Sequence, residues 1–166
     1  MSLLAAKMRM GAPLRVENII PIMTADNLPA PYVASADSVQ TSTDRYAYKA
    51  FDNNLATMWH SNTPHPHWLR IQLPTARIVT RYSVTTAAGS YPQPPNTWQF
   101  QGSNNGTDWT TLDSQSGQFA GRPANETRDY DFTNMTPYRF YRMYITSASG
   151  PDYGYCAVAR LRLFYR

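Results

Sequence analysis

Three histidines, His60, His65 and His67, form the densest run of metal-ligating side chains in the sequence. The two that flank Pro66 can point to one side and, with His60, offer imidazoles to a metal ion. No carboxylate or thiol stands beside them, so the competing reading is a loop whose rings meet a polar ligand or a partner protein. Asp129 and Asp131 fall on one face of an alternating segment. That spacing suits paired acid–base carboxylates, but it is equally the pattern of a solvated strand face. There is no GxSxG, no HExxH and no glycine-rich phosphate loop, and Glu17 and Glu126 are the only glutamates. The residues therefore predict a binding protein, not an enzyme, with no cofactor. A lone Cys156 excludes an intrachain disulfide and a thiol redox pair, and is expected to be a small apolar residue at a strand start.

The elements that must position these side chains are strands. Charged residues are 16% of the 166-residue chain and aromatics 13%, with thirteen prolines against eight glycines, which excludes long charged helices. From Tyr32 onward apolar residues recur with period two. Leu69, Ile71 and Leu73 form one strand, and Ile78, Thr80, Tyr82 and Val84 the next, with a turn expected at Pro74. Trp98 and Phe100 share a face, and Asn105-Gly106 predicts a tight hairpin into a strand beginning near Trp109. Tyr130 with Phe132, then Tyr141, Met143 and Ile145, then Leu161, Leu163 and Tyr165 complete seven or eight short strands. The expected fold is all-β, an antiparallel β-sandwich or jelly roll with its loops gathered at two ends. Residues 1–30 differ: they are Met-rich, broken by Pro13, Pro21 and Pro29, and carry Ile19, Ile20 and Ile22. They read as an extended N-terminal arm, a docking or assembly anchor, ahead of a domain at 31–166.

Fifteen basic residues against eleven acidic ones give a net charge of +4, and with only Lys7 and Lys49 the remaining thirteen are arginines. They are scattered from Arg9 to Arg166, so they predict interface and ion-pair chemistry and no nucleic-acid groove. The sequons at Asn105, Asn125 and Asn134 carry no weight, since charge follows the short apolar stretch Leu3–Ala6 and no signal peptide is expected. No segment has the length of a membrane span, so no membrane insertion is expected.

Five segments in order, YKAFDNNLATMWHS (48–61), WLRIQL (68–73), TWQFQGSNNGTDWTTL (97–112), YRFYRMYIT (138–146) and VARLRLFY (158–165), resemble the discoidin family. These coagulation factor 5/8 type C domains are galactose-binding-like jelly rolls that include family 32 carbohydrate-binding modules. The likeness spans about residues 31–165. It implies that Ala47, Ala50 and Phe51 plug one end of a sandwich whose core holds Trp59 and Trp98. It also implies ligand-facing loops bearing His60, Asn62, His65, His67, Tyr91, Gln93, Tyr153 and Tyr155, where rings stack on sugar faces and polar groups bond hydroxyls. Relatives hold a structural calcium near the residue matching Asp52. Here Asp52 and Thr57 match, but Arg160 occupies the position of a liganding glutamate. The implied site is vestigial, metal-free, with Arg160 pairing with Asp52. A stand-alone chain of this kind resembles modules of phage tail fibres, baseplates and virion decorations. The implied setting is a virion assembled in the host cytoplasm, with virion proteins or a second copy as partners of the arm and a cell-surface glycan as ligand. The alternative is a free-standing lectin without an assembly role.

Overall fold

The structure, a computed structural model, describes residues 17–89, 93–150 and 154–165. In chain order its strands are β1 (Val33–Ala36), β2 (Trp59–His60), β3 (His67–Arg77), β4 (Arg81–Thr85), β5 (Pro95–Ser103), β6 (Thr110–Gln115), β7 (Thr127–Asp131), β8 (Tyr138–Ala148), β9 (Ala157–Val158) and β10 (Arg160–Phe164). A five-stranded antiparallel sheet, ordered β1-β3-β8-β5-β6, faces a three-stranded antiparallel sheet ordered β10-β4-β7, and β2 pairs with β9. This is the expected β-sandwich, with the two-residue pair β2–β9 added to it.

Alternation decides what lies between the sheets. Leu69, Ile71 and Leu73 of β3, Tyr141, Met143 and Ile145 of β8, and Trp98 and Phe100 of β5 point inward from the larger sheet. Tyr82, Val84, Leu161 and Leu163 meet them from the smaller. The Tyr82 and Phe100 rings stack across the gap with centroids 4.1 Å apart. A 3-10 turn at Ala47–Ala50 buries both alanines and sets Phe51 and then Trp59 against the same core, as expected.

Two turn expectations are corrected. Pro74 does not end its strand: β3 runs on to Arg77, and the pairing with β8 shifts register between Gln72 and Arg77. An irregularity of that kind accommodates a residue that lacks an N–H. The chain reverses instead at residues 78–80, where Ile78 is exposed and Val79 buried. The Asn105-Gly106 connection is also not a two-residue hairpin. Residues 104–109 separate β5 from β6, only Gly106 has a positive φ (78°), and Asn105 Oδ1 accepts the backbone N–H groups of Thr107 and Asp108. The side chain thus closes a wider loop.

The second half of the expected arm is packed on the sandwich. Ile20 and Met23 lie in the main core, the Ile19 N–H donates to Leu163 O at 2.9 Å, and the Met23 N–H donates to Phe51 O at 3.1 Å. Ile22 points away, 61% exposed. Residues 1–16 lie outside the described residues.

Candidate functional site

Strand register sends five connections to one end of the sandwich. His67 opens β3 beside Ile145 near the end of β8, Pro95 opens β5 beside Ala148, and Thr85 closes β4 between Thr127 and Arg160. The segments after β1, before β3, between β4 and β5, between β6 and β7 and after β8 therefore meet there. They are tied by long-range bonds: the Trp59 indole N–H donates to Ser38 O at 2.9 Å, the Asn62 N–H to Ser38 Oγ, the Cys156 N–H to Ser61 Oγ and the Ala157 N–H to Gln93 O. Gly154 has φ 74°, and a Cβ there would come within 2.7 Å of Pro64 Cα, so these two loops touch only because residue 154 is glycine.

All three histidines gather at this end, in distinct roles. His67 is fully buried. Its Nδ1 lies 3.0 Å from Asp37 Oδ2 and its Nε2 2.8 Å from Gly154 O. Both partners are acceptors, so the ring serves both only as the imidazolium. Burial opposes that charge, but the bonds to Asp37 and Gly154 outweigh it and raise the pKa above the ordinary histidine value. His60 is also buried. Its Nδ1 donates to Ser61 O, and burial first, with Arg45 nearby, pushes its pKa down, so this ring is neutral. His65 is half-buried at the groove, its ring 4.9 Å from that of His67. Among the described residues no group of three His, Cys, Asp or Glu side chains is placed to hold a metal ion.

The two buried rings act on stability in opposite senses. A raised folded pKa, as for His67, contributes stability that is present below the unfolded value of about 6.5 and is lost as pH rises through the folded pKa. The depressed His60 contributes stability that is present above about 6.5 and is lost as pH falls through its folded pKa. Asp37→Asn keeps an oxygen for the Trp68 N–H, which donates to Asp37 Oδ1 at 2.7 Å, but removes the carboxylate facing His67. Urea denaturation should show wild type well above this variant at pH 6, with the gap closing as pH rises past the folded pKa of His67. A gap that does not change with pH would rule out the imidazolium.

Of the remaining expected ligand residues, Gln93 is buried, Asn62 is exposed, and Tyr155 is half-buried with its ring 5.9 Å from that of His60. Tyr91 and Tyr153 lie outside the described residues. The accessible surface is a shallow groove of about 350 Å³ lined by Pro64, His65, Thr146, Ser147, Ala148 and Gly154. Nothing in the sequence marks Thr146 and Ser147, which continue β8 beyond its apolar alternation. Only the pairing of β8 with β3 and β5 brings them beside His65.

A family model described as a NedA-like, galactose-binding domain of F5/8 type C matches residues 49–143, more than half of the chain. The chain belongs to this family. Among curated proteins no sequence matches it. Similar solved structures include a family 32 carbohydrate-binding module, CpGH89CBM32-5 of Clostridium perfringens, in complex with GalNAc-β-1,3-galactose. It has 16% identity and a TM-score of 0.70, over 81% of this chain and 95% of that one. The family 32 module of C. perfringens NanJ, in complex with galactose, has 20% identity and a TM-score of 0.65, over 81% and 93%. Chitosan-binding module 1 of a Paenibacillus sp. IK-5 chitosanase/glucanase has 23% identity and a TM-score of 0.68, over 90% and 99%.

A structural calcium, which the F5/8 type C resemblance gave as lost from this chain, does not fit these residues. Asp52 closes its own turn, Oδ1 accepting the Asn54 N–H at 2.9 Å and Oδ2 the Thr57 hydroxyl at 2.6 Å. Arg160 does not pair with Asp52. Its Nη1 donates to Asn53 Oδ1 at 3.3 Å, and Arg162 Nη2 donates to the same oxygen at 2.7 Å. Asn53 has a φ of 58°, which carries its side chain round to the guanidiniums and leaves Asp52 to the turn. Two cations converging on the turn repel a dication, and desolvation, then Arg162, pushes the pKa of Arg160 down.

Proposed function

We propose that this F5/8 type C chain is a non-catalytic glycan-recognition domain that holds a terminal galactose-type sugar in the groove at the loop end. The observation that supports this reading most is the groove itself, at the end of the sandwich to which five connections run, lined by the His65 ring, Thr146 and Ser147. His67 then serves the site from within, its ring beside that of His65 and bonded to the carbonyl of Gly154, which packs against Pro64 in the groove lining. Glycan-array screening followed by calorimetric titration with galactose and N-acetylgalactosamine should reveal binding, and His65→Ala should weaken it about tenfold by removing the ring surface that lines the groove. No binding to any sugar, or unchanged affinity in the variant, would refute this assignment of the groove.

An assembly role is a second reading, favoured by the exposed apolar side chains of the arm. Ile22 and Leu28 are 61% and 49% exposed, and Ile22 borders a hollow shared with Ile20, Pro21 and Phe51. Such a surface suits docking onto a virion protein or a second copy, with the sandwich displayed outward. Among the described residues no helix is long and apolar enough to cross a membrane.

A further inference from the structure

The outward face of the five-stranded sheet is unusual for a solvent-facing surface. Strand register lays side chains across it in rows: Trp68 opposite Tyr144 opposite Gln99, and Arg70 opposite Arg142 opposite Gln101. The Arg142 guanidinium stacks 3.9 Å from the Trp109 ring and 5.2 Å from Tyr144, while Arg70 sits 5.0 Å from Trp68 and 5.6 Å from Phe140. Each Nε is held by a neutral acceptor, Ser35 Oγ for Arg70 at 2.9 Å and Gln101 Oε1 for Arg142 at 2.7 Å. Among the described residues neither arginine has a carboxylate within salt-bridge distance.

Like charges directly opposite on neighbouring strands oppose each other. Burial pushes the pKa of both groups down, and for Arg142 the proximity of Arg70 adds to it. The fold therefore keeps two partly desolvated cations side by side, clamped on rings and aimed by neutral bonds, without supplying the anion. Planar guanidiniums fixed in this way match carboxylate or sulfate groups. Beside Tyr144 a hollow of about 280 Å³ is lined by Thr97, Gln99, Ser114 and Thr146, groups suited to sugar hydroxyls. Among the described residues no lysine lies on the face, and two arginines fall far short of the charge that tracks a nucleic-acid backbone.

We infer that this face is a second binding site, adjoining the loop-end groove at Thr146, for an acidic polysaccharide. Arg70 and Arg142 receive its anionic groups, and Trp68 and Tyr144 lie against its sugar rings. The inference stands on the sheet face alone and does not require the groove to bind sugar.

Affinity electrophoresis of the full chain through gels containing polygalacturonate, dextran sulfate or neutral galactan provides the test. Polygalacturonate, dextran sulfate or both should retard the chain in a salt-sensitive manner, and whichever binds identifies carboxylate or sulfate as the preferred anion. Arg70→Gln and Arg142→Gln should each weaken that binding about tenfold or more, as expected for a lost charge-assisted bond. Arg142→Lys should restore only part of it, because an ammonium lacks the planar stack. Arg70 stacks on Trp68 and Phe140 and Arg142 on Trp109, so the Arg70 variant reports on binding even if Arg142→Gln disturbs the stacked loop. Failure of both acidic polymers to bind, equal retardation by galactan, or unchanged binding in the Arg70 variant would overturn the inference. So would competition by polyglutamate or oligo-dT as effective as that by polygalacturonate.

Discussion

Trp98→Ala is expected to destabilise the domain by about 3–5 kcal/mol, a large share of the 5–15 kcal/mol that holds a typical domain together. Trp98 is 1% exposed and lies where both sheets and the β6–β7 loop meet. Its ring stacks on Phe119 with centroids 6.4 Å apart and meets Tyr130 edge-on at 5.3 Å. Its indole N–H donates to the Tyr82 hydroxyl at 2.9 Å, which in turn donates to Asp113 Oδ2 at 2.7 Å. Burial first, and then Asp113, pushes the pKa of Tyr82 up, which keeps the phenol protonated as the middle of this chain of bonds. Alanine removes the packing and the first donor together. Trp98→Phe separates the two: it retains most of the ring and should lose only about 1 kcal/mol for the missing N–H. Urea midpoints at constant m-value provide the measurement. If Trp98→Ala unfolds at the wild-type midpoint, the rings of Tyr82, Phe119 and Tyr130 are not organised around it.

What was legible in the sequence was whatever alternation or volume writes locally. Leu69, Ile71 and Leu73, or Tyr141, Met143 and Ile145, declare an inward face without reference to their neighbours, and Trp59 and Trp98 are too large and apolar to lie elsewhere. The partners of buried polar groups are not written locally. His67 looks like a loop ligand until Asp37, thirty residues earlier, and Gly154, far downstream, take its two nitrogens. Gln93 and His60 are likewise polar by type but buried by closure of loops distant in sequence. Arg160 was expected to meet Asp52 by charge complementarity. A left-handed Asn53 presents an oxygen to both Arg160 and Arg162, and backbone conformation outweighs formal charge there. Pro74 marks a turn in most contexts, but here pairing on either side of an irregularity carries the strand through it.

The N-terminal segment provides the other large effect. Deleting residues 1–30 should lower stability by at least about 4 kcal/mol, since two buried apolar side chains at about 2–5 kcal/mol each leave with it. Ile20 is 4% and Met23 1% exposed, and both belong to the core that contains Phe51 and Leu163. Asn18 Oδ1 accepts the Leu163 N–H, Asp26 O accepts the Ala34 N–H at 2.7 Å, and Asp26 Oδ1 accepts the Tyr48 N–H at 2.9 Å. Deletion would leave those three amides without their partners. Removing residues 1–16 leaves every one of these contacts in place. Thermal melts of the two truncations, each with light scattering, therefore separate folding from anchoring. If the shorter deletion melts like the full chain but no longer associates, residues 1–16 serve assembly alone and the folded domain begins near residue 17. If the 1–30 deletion also melts like the full chain, the packing of Ile20 and Met23 contributes nothing and the domain begins at residue 31. Between these outcomes the decisive quantity is the apolar surface of Phe51 and Leu163 that the arm covers, because a sandwich missing that cover exposes its core at the edge where β10 ends.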